Sequence, residues 1–598
     1  MPFLAKTPVE KTAGPYARRW WALLVLCLSL LIVVMANTSL IVAAPAMTAD
    51  LGLSSSDLQW VIDGYTVPYA ALMLVLGSLG DKYSRRGALL AGLVIFAGGS
   101  VMGSLVDETG LVIAARAVMG VGAAVVMPAT LSLLVAIFPR RERAKAVTAW
   151  TATSGLAIAV GPLVAGWLLQ DHSWGSTFLI NVPVVLLAVV GALTLVPPSR
   201  AAGMGRIDYV GGLLSIVSVG SLVYATIEGP HFGWGAGPVA AAVVAGVGLA
   251  AFVAWELRHP HPMLNVRKFR LRPFSGSMLA VLFFFFGTFG AIYYATQFLQ
   301  FVLGYDALET GVRLLPLAGA VFVGAAVTGW LTPKLGVKAL VVAGMAIGTG
   351  GVFLLTLIDS ASTYADFLAP MTMLGFAIGL SVSPATDTIM GSFPESELGV
   401  GGGANDTALE LGGSLGIAIL GSLLGTAYRD ELTGLVGGRL PATALETAKD
   451  SVGGGLAVAQ QVAQDPAGGA RQAQAVVEAV HQAFAHGVAQ TSLIGGIIMA
   501  AGTMIVLAVL PGRKAAARQD REAAEARQAE TARTPQPGET AHPAQEAGQP
   551  AQEAERPDEQ VVRADDQTEQ ADEQAGRSER PTENRGGGNR TGTYTNAR

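Results

Sequence analysis

Three carboxylates interrupt long apolar stretches of the sequence. Asp63 lies in the run Trp-Val-Ile-Asp-Gly-Tyr, and Asp406 and Glu410 lie four residues apart, on one face of a helix. A carboxyl group in a region of low dielectric constant can exchange a proton or attract a cation. The alternative is an acid at a helix end, near water. This alternative fits Asp63 and Asp406 better than Glu410, which lies deeper in its apolar run.

One arginine, Arg116, stands between apolar residues in the run Arg-Ala-Val-Met-Gly-Val-Gly. A buried arginine is costly in an apolar medium, so we expect its side chain to face the protein interior and to pair with an acid. The alternative is a position near the helix end, from which the side chain extends to water. Polar and aromatic side chains that could share an interior site with it are Asn37, Tyr65, Tyr293 and Gln297. The alternative for the tyrosines is packing or anchoring at the membrane interface.

The chain as a whole is too apolar for a water-soluble protein of this length. Hydrophobic residues make up 51% of its 598 residues and charged residues 14%, and its mean hydropathy is +0.48. Soluble domains carry about 25% charged residues. The single cysteine, Cys27, excludes a disulfide within the chain. No metal-ligand cluster, phosphate-binding loop or catalytic triad is evident, so we predict neither a cofactor nor enzyme activity.

The apolar residues fall into runs of roughly 20, which predict fourteen membrane-spanning helices. We predict a cytoplasmic N-terminus at residues 1–19, a six-helix bundle at 20–196, two inserted helices at 207–257 and a second six-helix bundle at 275–510. The second bundle contains a segment at 429–487 that we predict to be external and to form short amphipathic helices. Residues 513–598 contain no Leu, Ile, Phe, Met or Trp, so we predict a disordered tail. The run 283–286, four phenylalanines, is predicted to face lipid.

Lys and Arg residues concentrate in alternate short loops, at residues 82–86, 140–145 and 334–338 among others. The intervening loops hold mainly acids, such as Asp107, Glu108 and Asp171. Because basic loops stay in the cytoplasm, this asymmetry predicts that both termini are cytoplasmic.

The loop after the second span carries a dense charge motif. It contains Gly77, Asp81, Lys82, Arg85 and Arg86, and a weaker copy follows the tenth span at residues 329–338. Glycine permits close helix contact, and an aspartate can cap a neighbouring helix or pair with a base. The alternative is a solvated turn. The motif resembles the cytoplasmic loop signature of the major facilitator superfamily, which implies a gate between two halves, and Ser84 replaces a glycine of that signature.

The fifth span contains Gly155, Gly161, Pro162 and Gly166. Proline removes an intrahelical hydrogen bond, and glycines supply a smooth packing face. This pattern resembles the antiporter signature of proton-linked exporters in the same superfamily. Three further stretches, at residues 174–183, 207–211 and 383–391, resemble the fourteen-helix drug:proton antiporters, and the quaternary-ammonium exporters among them are the most similar.

The first span departs from that family. Ala36 stands where the family usually has an aspartate, and Asn37 beside it can form hydrogen bonds but cannot carry a proton. The proton stoichiometry implied by the resemblance is therefore open. In the resembled exporters, acids matching Asp63, Asp406 and Glu410 serve protons or cationic substrates, and Arg116 matches a buried-arginine motif.

The sequence thus predicts an all-α membrane protein with the major facilitator fold, two six-helix bundles and two inserted helices. The resemblance implies proton-coupled efflux of lipophilic, cationic drugs or antiseptics across the cytoplasmic membrane by a monomer. The implied partners are a small-molecule substrate, protons and the lipid bilayer, without nucleic acid. Two alternatives stay open: a dedicated exporter of an endogenous metabolite or antibiotic, and a nontransporting membrane sensor or scaffold.

Overall fold

The structure is a computed structural model that describes residues 8, 15–53, 55–201, 208–232, 234–436, 438, 440–464 and 469–513. The tail predicted to be disordered lies outside the described residues from position 514 onward. Regular structure in the described ranges is helical throughout, and fourteen of the helices are long and apolar enough to cross a membrane. The all-α class and the number of spans predicted from the sequence are confirmed.

Six spans form the first half of the bundle. They are α1 (Arg19–Leu51), α2 (Ser55–Tyr83), α3 (Arg85–Leu105), α4 (Thr109–Ile137), α5 (Arg140–Leu168) and a sixth built from α6 (Ser176–Leu179) and α7 (Asn181–Leu195). Leu30, Phe96 and Leu133 belong to their common apolar core. Gly99 and Gly122 let α3 and α4 approach closely, because a Cβ at either position would overlap the facing helix.

Two inserted spans, α8 (Tyr209–Phe232) and α9 (Ala236–Arg258), follow the first half. Asp208 caps α8, because one carboxylate oxygen accepts from the Gly211 amide at 2.8 Å. The same carboxylate accepts from Trp255 Nε1 of α9 at 3.0 Å. Asp208 therefore joins the two inserted helices at one end.

The second half contains the other six spans and two shorter helices. They are α10 (Arg272–Gln297), α11 (Ala307–Leu335), α12 (Val337–Leu354), α13 (Tyr364–Gly391), α14 (Leu398–Val436), α15 (Ala442–Asp450), α16 (Val452–Ala463) and α17 (Gly469–Val509). Asp306 and Glu309 form a capping box at the start of α11, with the Glu309 amide 2.6 Å from the Asp306 carboxylate.

The prediction that the phenylalanine run of α10 faces lipid is wrong. Phe284, Phe285 and Phe286 are buried in the core of the second half instead of facing lipid. Phe283 is partly buried, and Gly502 of α17 lies against its ring. A run without polar residues gives no amphipathic pattern, so the sequence could not show which side of α10 faces the other helices.

The segment predicted at 429–487 is helical, but its ends belong to long helices. The 39 residues of α14 and the 41 residues of α17 correspond to about 58 Å and 61 Å of helix, twice the thickness of the hydrocarbon layer. Between them, α16 packs against α17 and α15 packs against α16 and α14, and Tyr428 of α14 donates to the Ala448 carbonyl at 2.9 Å. The segment is thus a continuation of two spans with a helical connection. Its external location stays a prediction, as do the predicted domain boundaries.

The two halves meet along four pairs of helices: α14 packs against α2 and α4, and α5 packs against α11 and α13. The inserted helix α8 lies across the first pair and contacts both α2 and α14. Val219 and Val223 of α8 share an apolar cluster with Ala70 of α2 and with Leu411 of α14. Asp63 of α2 and the two carboxylates of α14, Asp406 and Glu410, belong to the helices of this contact.

Candidate functional site

Arg116 lies at the centre of a polar network in the first half. Its side chain is fully buried, and Nε donates to the Val61 carbonyl at 3.0 Å. Nη2 donates to Asn37 Oδ1 at 3.1 Å, and the guanidinium lies 4.5 Å from the centre of the Tyr65 ring. The extension to water considered for this residue is wrong. Asp63, also buried, is near enough for an electrostatic interaction with Arg116.

Two tyrosines of α2 connect this network to the other half. The Tyr65 and Tyr69 ring centroids are 5.5 Å apart, and Tyr65 Oη donates to the Val33 carbonyl at 3.0 Å. Both tyrosines interact electrostatically with Glu410 of α14. The pair therefore lies between Arg116 and the carboxylates of the second half.

The carboxylates of α14 have different surroundings. Asp406 is fully buried, and one of its oxygens accepts from Asn405 Nδ2 at 3.0 Å. Asn405 Oδ1 in turn accepts from Thr386 of α13 at 3.0 Å. Glu410 is only partly buried. Glu410 is therefore the more accessible of the two carboxylates, while Asp406 is enclosed within the helix bundle.

The other predicted members of the site lie apart from it. Tyr293 and Gln297 of α10 lie one helical turn apart, and the Tyr293 ring lies beside Gly421 of α14. Eleven residues separate Gly421 from Glu410, which is about 16 Å along the helix. The structure does not bring Tyr293 and Gln297 to the carboxylates. Thr386 and Asn405 were missed as members of the polar network, although the sequence places both close to acids.

The charge motif after α2 joins the two halves. Asp81 and Arg85 are buried and form an ion pair of 2.7 Å. The second Asp81 oxygen accepts from the amides of Gly399 and Val400, at the start of α14. The carboxylate thus caps a helix of the other half, where the helix dipole favours a negative charge. The solvated turn considered for this motif is wrong.

Close backbone contact supports this connection. Gly77 and Gly399 face each other, and a Cβ on either would overlap the backbone of the other. Arg85 also donates to Ser199 Oγ at 3.0 Å and to the Glu395 carbonyl. Lys82 and Arg86, the remaining charges of the motif, make different contacts. Arg86 donates to the Val196 carbonyl at 3.1 Å, and the Lys82 ammonium lies 5.9 Å from the Tyr83 ring.

The linker between α9 and α10 also contacts the loop between α13 and α14. Lys268 forms an ion pair of 3.4 Å with Glu397 and donates to the Ser392 carbonyl at 2.9 Å. Burial lowers the pKa of the Lys268 ammonium, and the Glu397 carboxylate partly offsets this effect. The loop between α13 and α14 is therefore fixed by Arg85 of the first half and by Lys268 of the linker.

The glycine motif of α5 packs on two sides. Gly161 lies against Thr38 of α1, and its carbonyl accepts from Ser39 Oγ at 3.1 Å. Gly155 and Gly166 lie against Val321 and Leu308 of α11. The motif also brings Pro162 against Gly311 of α11. These residues place α5 between α1 of its own half and α11 of the other half.

We expect Gly161→Ala to destabilise the protein, because the added Cβ would overlap Thr38 Oγ1. Thermal unfolding of the purified protein should show a midpoint several degrees lower, as for a core overpacked by about 1–3 kcal/mol. Gly98→Ala, in α3, is the matched control, since no atom lies within 4 Å of the added Cβ. Equal midpoints for the two variants would contradict the packing described for α5.

Comparisons with known proteins agree with this architecture. A model of the Major Facilitator Superfamily matches residues 26–417. The chain is 33% identical over 490 residues to the multidrug efflux pump LfrA of Mycolicibacterium smegmatis. This match covers 82% of this chain and 96% of that protein. It is 30% identical over 516 residues to the tetracenomycin C resistance and export protein of Streptomyces glaucescens, covering 84% and 93%.

Among solved structures, the human organic anion transporter MFSD10 matches with a TM-score of 0.52 and 11% identity, covering 80% of this chain and 99% of that one. At this identity the match concerns the fold alone. The fold and the relatives together define a multi-pass membrane transporter of small molecules. The chain belongs to the Major Facilitator Superfamily, and the resemblance to multidrug exporters found in the sequence is confirmed.

Proposed function

We propose that this chain exports lipophilic small molecules, including cations, across the cell membrane in exchange for protons. It would act as a monomer with both termini in the cytoplasm, by alternating access between its two halves. The observation that carries the proposal is the carboxylate pair of α14, Asp406 and Glu410, which faces two tyrosines of the other half inside the membrane-spanning bundle. Such groups are costly in the membrane and mark paths for ions or substrates.

The role of each charged group follows from its surroundings. Glu410, partly exposed and beside Tyr69, would hold the exchanged proton. Asp406 would contribute negative charge that attracts a cationic substrate. Asp63 would balance the charge of Arg116, with which it interacts. Protonation of Glu410 would weaken the attraction for a bound cation and favour its release.

The contacts of Asp81 with α14 would close the cytoplasmic side, since the basic loops predict a cytoplasmic position for this end of α2. Breaking these contacts would be the step that admits substrate from the cytoplasm. The exchange then needs no bound nucleotide, since a proton gradient supplies the free energy.

A second candidate is a dedicated exporter of an antibiotic or another endogenous metabolite, with self-resistance as its role. One observation favours it: the relative from Streptomyces glaucescens is named for resistance to, and export of, a single compound, tetracenomycin C. A panel of unrelated compounds, tested in a host that lacks its own pumps, separates the two. Resistance to several unrelated compounds indicates a multidrug exporter, and resistance to one indicates a dedicated exporter.

The proposal predicts coupled movement of substrate and protons in proteoliposomes. With an imposed pH gradient, the purified chain should move a lipophilic dye such as ethidium against its concentration gradient. Adding the dye should in turn release protons, measured with a pH-sensitive fluorophore in the lumen. Liposomes without protein and liposomes made proton-permeable are the controls. A rate of dye movement that is the same with and without the pH gradient would contradict proton coupling.

A further inference from the structure

The second copy of the charge motif, at residues 329–338 between α11 and α12, contains no acid. Pro333 stands where the first copy has Asp81, while Lys334 and Lys338 keep two of the positive charges. In the first copy the Asp81 carboxylate is the anion that caps a helix and pairs with a base. The second copy therefore keeps its positive charges but lacks the anion.

Arg513, which follows α17, adds a third positive charge to this loop. Its Nη1 donates to the Lys334 carbonyl at 2.8 Å, and a Cβ on Gly336 would lie 3.5 Å from the Arg513 Cβ. The Lys334 ammonium lies 3.5 Å from the centre of the Trp330 ring. In the described part of the chain, neither Arg513 nor the lysines Lys334 and Lys338 form an ion pair with an acid. The loop thus presents positive charge that no described acid neutralises.

An apolar groove begins at this positive surface and runs between α12 and α17. Its volume is about 410 Å³, and Lys338 and Arg513 line the end nearest the loop. From Lys338 to Ala346 the wall formed by α12 extends about 12 Å along the helix. The rest of the groove is lined by exposed side chains that include Ala339, Ala343, Ala346 and Leu507. Both helices are long and apolar enough to cross a membrane, so the groove is open to lipid.

The positive end and the apolar groove together match the two parts of an anionic phospholipid. Lysine and arginine bind phosphate, and basic pockets between membrane helices recognise anionic head groups. The basic loops predict that this end of the bundle faces the cytoplasm, on the side where membranes carry anionic lipids. A soluble anion would match only the charged end and would leave the apolar groove uncovered.

We propose that an anionic phospholipid binds here, with its phosphate against Lys338 and Arg513 and an acyl chain in the groove between α12 and α17. The lipid supplies the anion that the second copy of the motif lacks, and it joins the loop between α11 and α12 to the end of α17. The site uses none of the residues assigned to export, so it does not depend on the proposed function.

The test measures lipid binding to the purified full-length protein by native mass spectrometry. Dioleoylphosphatidylglycerol is the anionic probe, and dioleoylphosphatidylcholine has the same chains without a net charge. One variant combines Lys338→Gln with Arg513→Gln, and a second, Ala343→Phe, keeps the charges but fills the groove. The matched control combines Arg140→Gln with Arg141→Gln, which removes two exposed charges at the start of α5. Thermal unfolding of each preparation reports whether the variant is folded.

We expect the wild type to bind the phosphatidylglycerol at least about tenfold more tightly than the phosphatidylcholine. Each basic side chain beside an anionic lipid contributes a factor of about five, so the Lys338 and Arg513 substitutions together should weaken phosphatidylglycerol binding roughly tenfold to thirtyfold. The same variant should bind phosphatidylcholine within about threefold of the wild type. Ala343→Phe should weaken both lipids, and the α5 control should change neither by more than about twofold.

Three results would overturn the assignment. An equal loss in the α5 control would indicate general attraction to positive charge instead of a site. Unchanged binding of both lipids by Ala343→Phe would show that no chain occupies the groove. Wild-type protein that binds the two lipids equally would leave the groove to residues 514–598 or to a second copy of the chain.

Discussion

Replacing Glu410 by glutamine is expected to abolish proton-driven export while the protein still binds substrate, with a loss of affinity for cations of no more than about tenfold because Asp406 keeps its negative charge. Glutamine has the size of glutamate but cannot ionise, so the exchangeable proton is lost. The neighbouring acid, Asp406, is fully buried and bonded to Asn405, whereas Glu410 is partly exposed. Because the two carboxylates lie one helical turn apart, their repulsion favours a state in which only one is ionised.

The measurement is drug-induced proton release by purified protein, together with equilibrium binding of the same drug. Asp430→Asn is the matched control, since Asp430 is exposed on the same helix about 30 Å beyond Glu410. If Glu410→Gln still couples a proton gradient to export, the proton is carried elsewhere. Asp406→Asn and Asp63→Asn would then be the variants to measure.

Asp81→Asn is expected to lower turnover at least about tenfold and to leave substrate binding nearly unchanged. Asparagine loses the charge that pairs with Arg85 and that caps the start of α14. Losing a charged hydrogen bond costs roughly 1.5–3 kcal/mol, which shifts the balance between closed and open states by about 10- to 100-fold. Tyr69 lies about 18 Å along α2 from Asp81, and Asp406 lies about 10 Å along α14 from Gly399, so binding should be preserved.

Initial transport rates in proteoliposomes with equal protein content measure this effect. Lys82→Gln is the matched control, because Lys82 is a charged residue of the same motif whose ammonium lies near the Tyr83 ring of its own helix. Turnover that falls equally in the two variants would indicate general loss of loop charge instead of a lost connection between the halves.

The spans and the charge motif could be predicted from the sequence because both depend on local rules. A helix that crosses a membrane needs about twenty apolar residues, and this requirement is visible in the residues themselves. The sequence also suggested that Gly77 allows a close helix contact and that Asp81 can cap a helix, and the structure shows both features. The helix that Asp81 caps could not be predicted, because its amides lie 318 residues further along the chain.

The candidate site was only partly predictable for the same reason. An acid was expected to pair with Arg116, and Asp63 does interact with it, but the hydrogen bonds go to Asn37 and a backbone carbonyl. Tyr293 was expected near the site because it is aromatic and lies within a span, yet composition cannot show its depth or direction. Such features depend on how the two halves meet, which no local pattern records.

The length of α14 has a mechanical consequence. One helix without proline carries the Gly399 contact with Asp81, the carboxylates, and Tyr428, which is bonded to the connection between α14 and α17. A rigid tilt of about 5° over its 58 Å would displace the far end by about 5 Å. If the helix tilts as one body, a probe bound near Val436 is expected to report the state of the contact at Gly399.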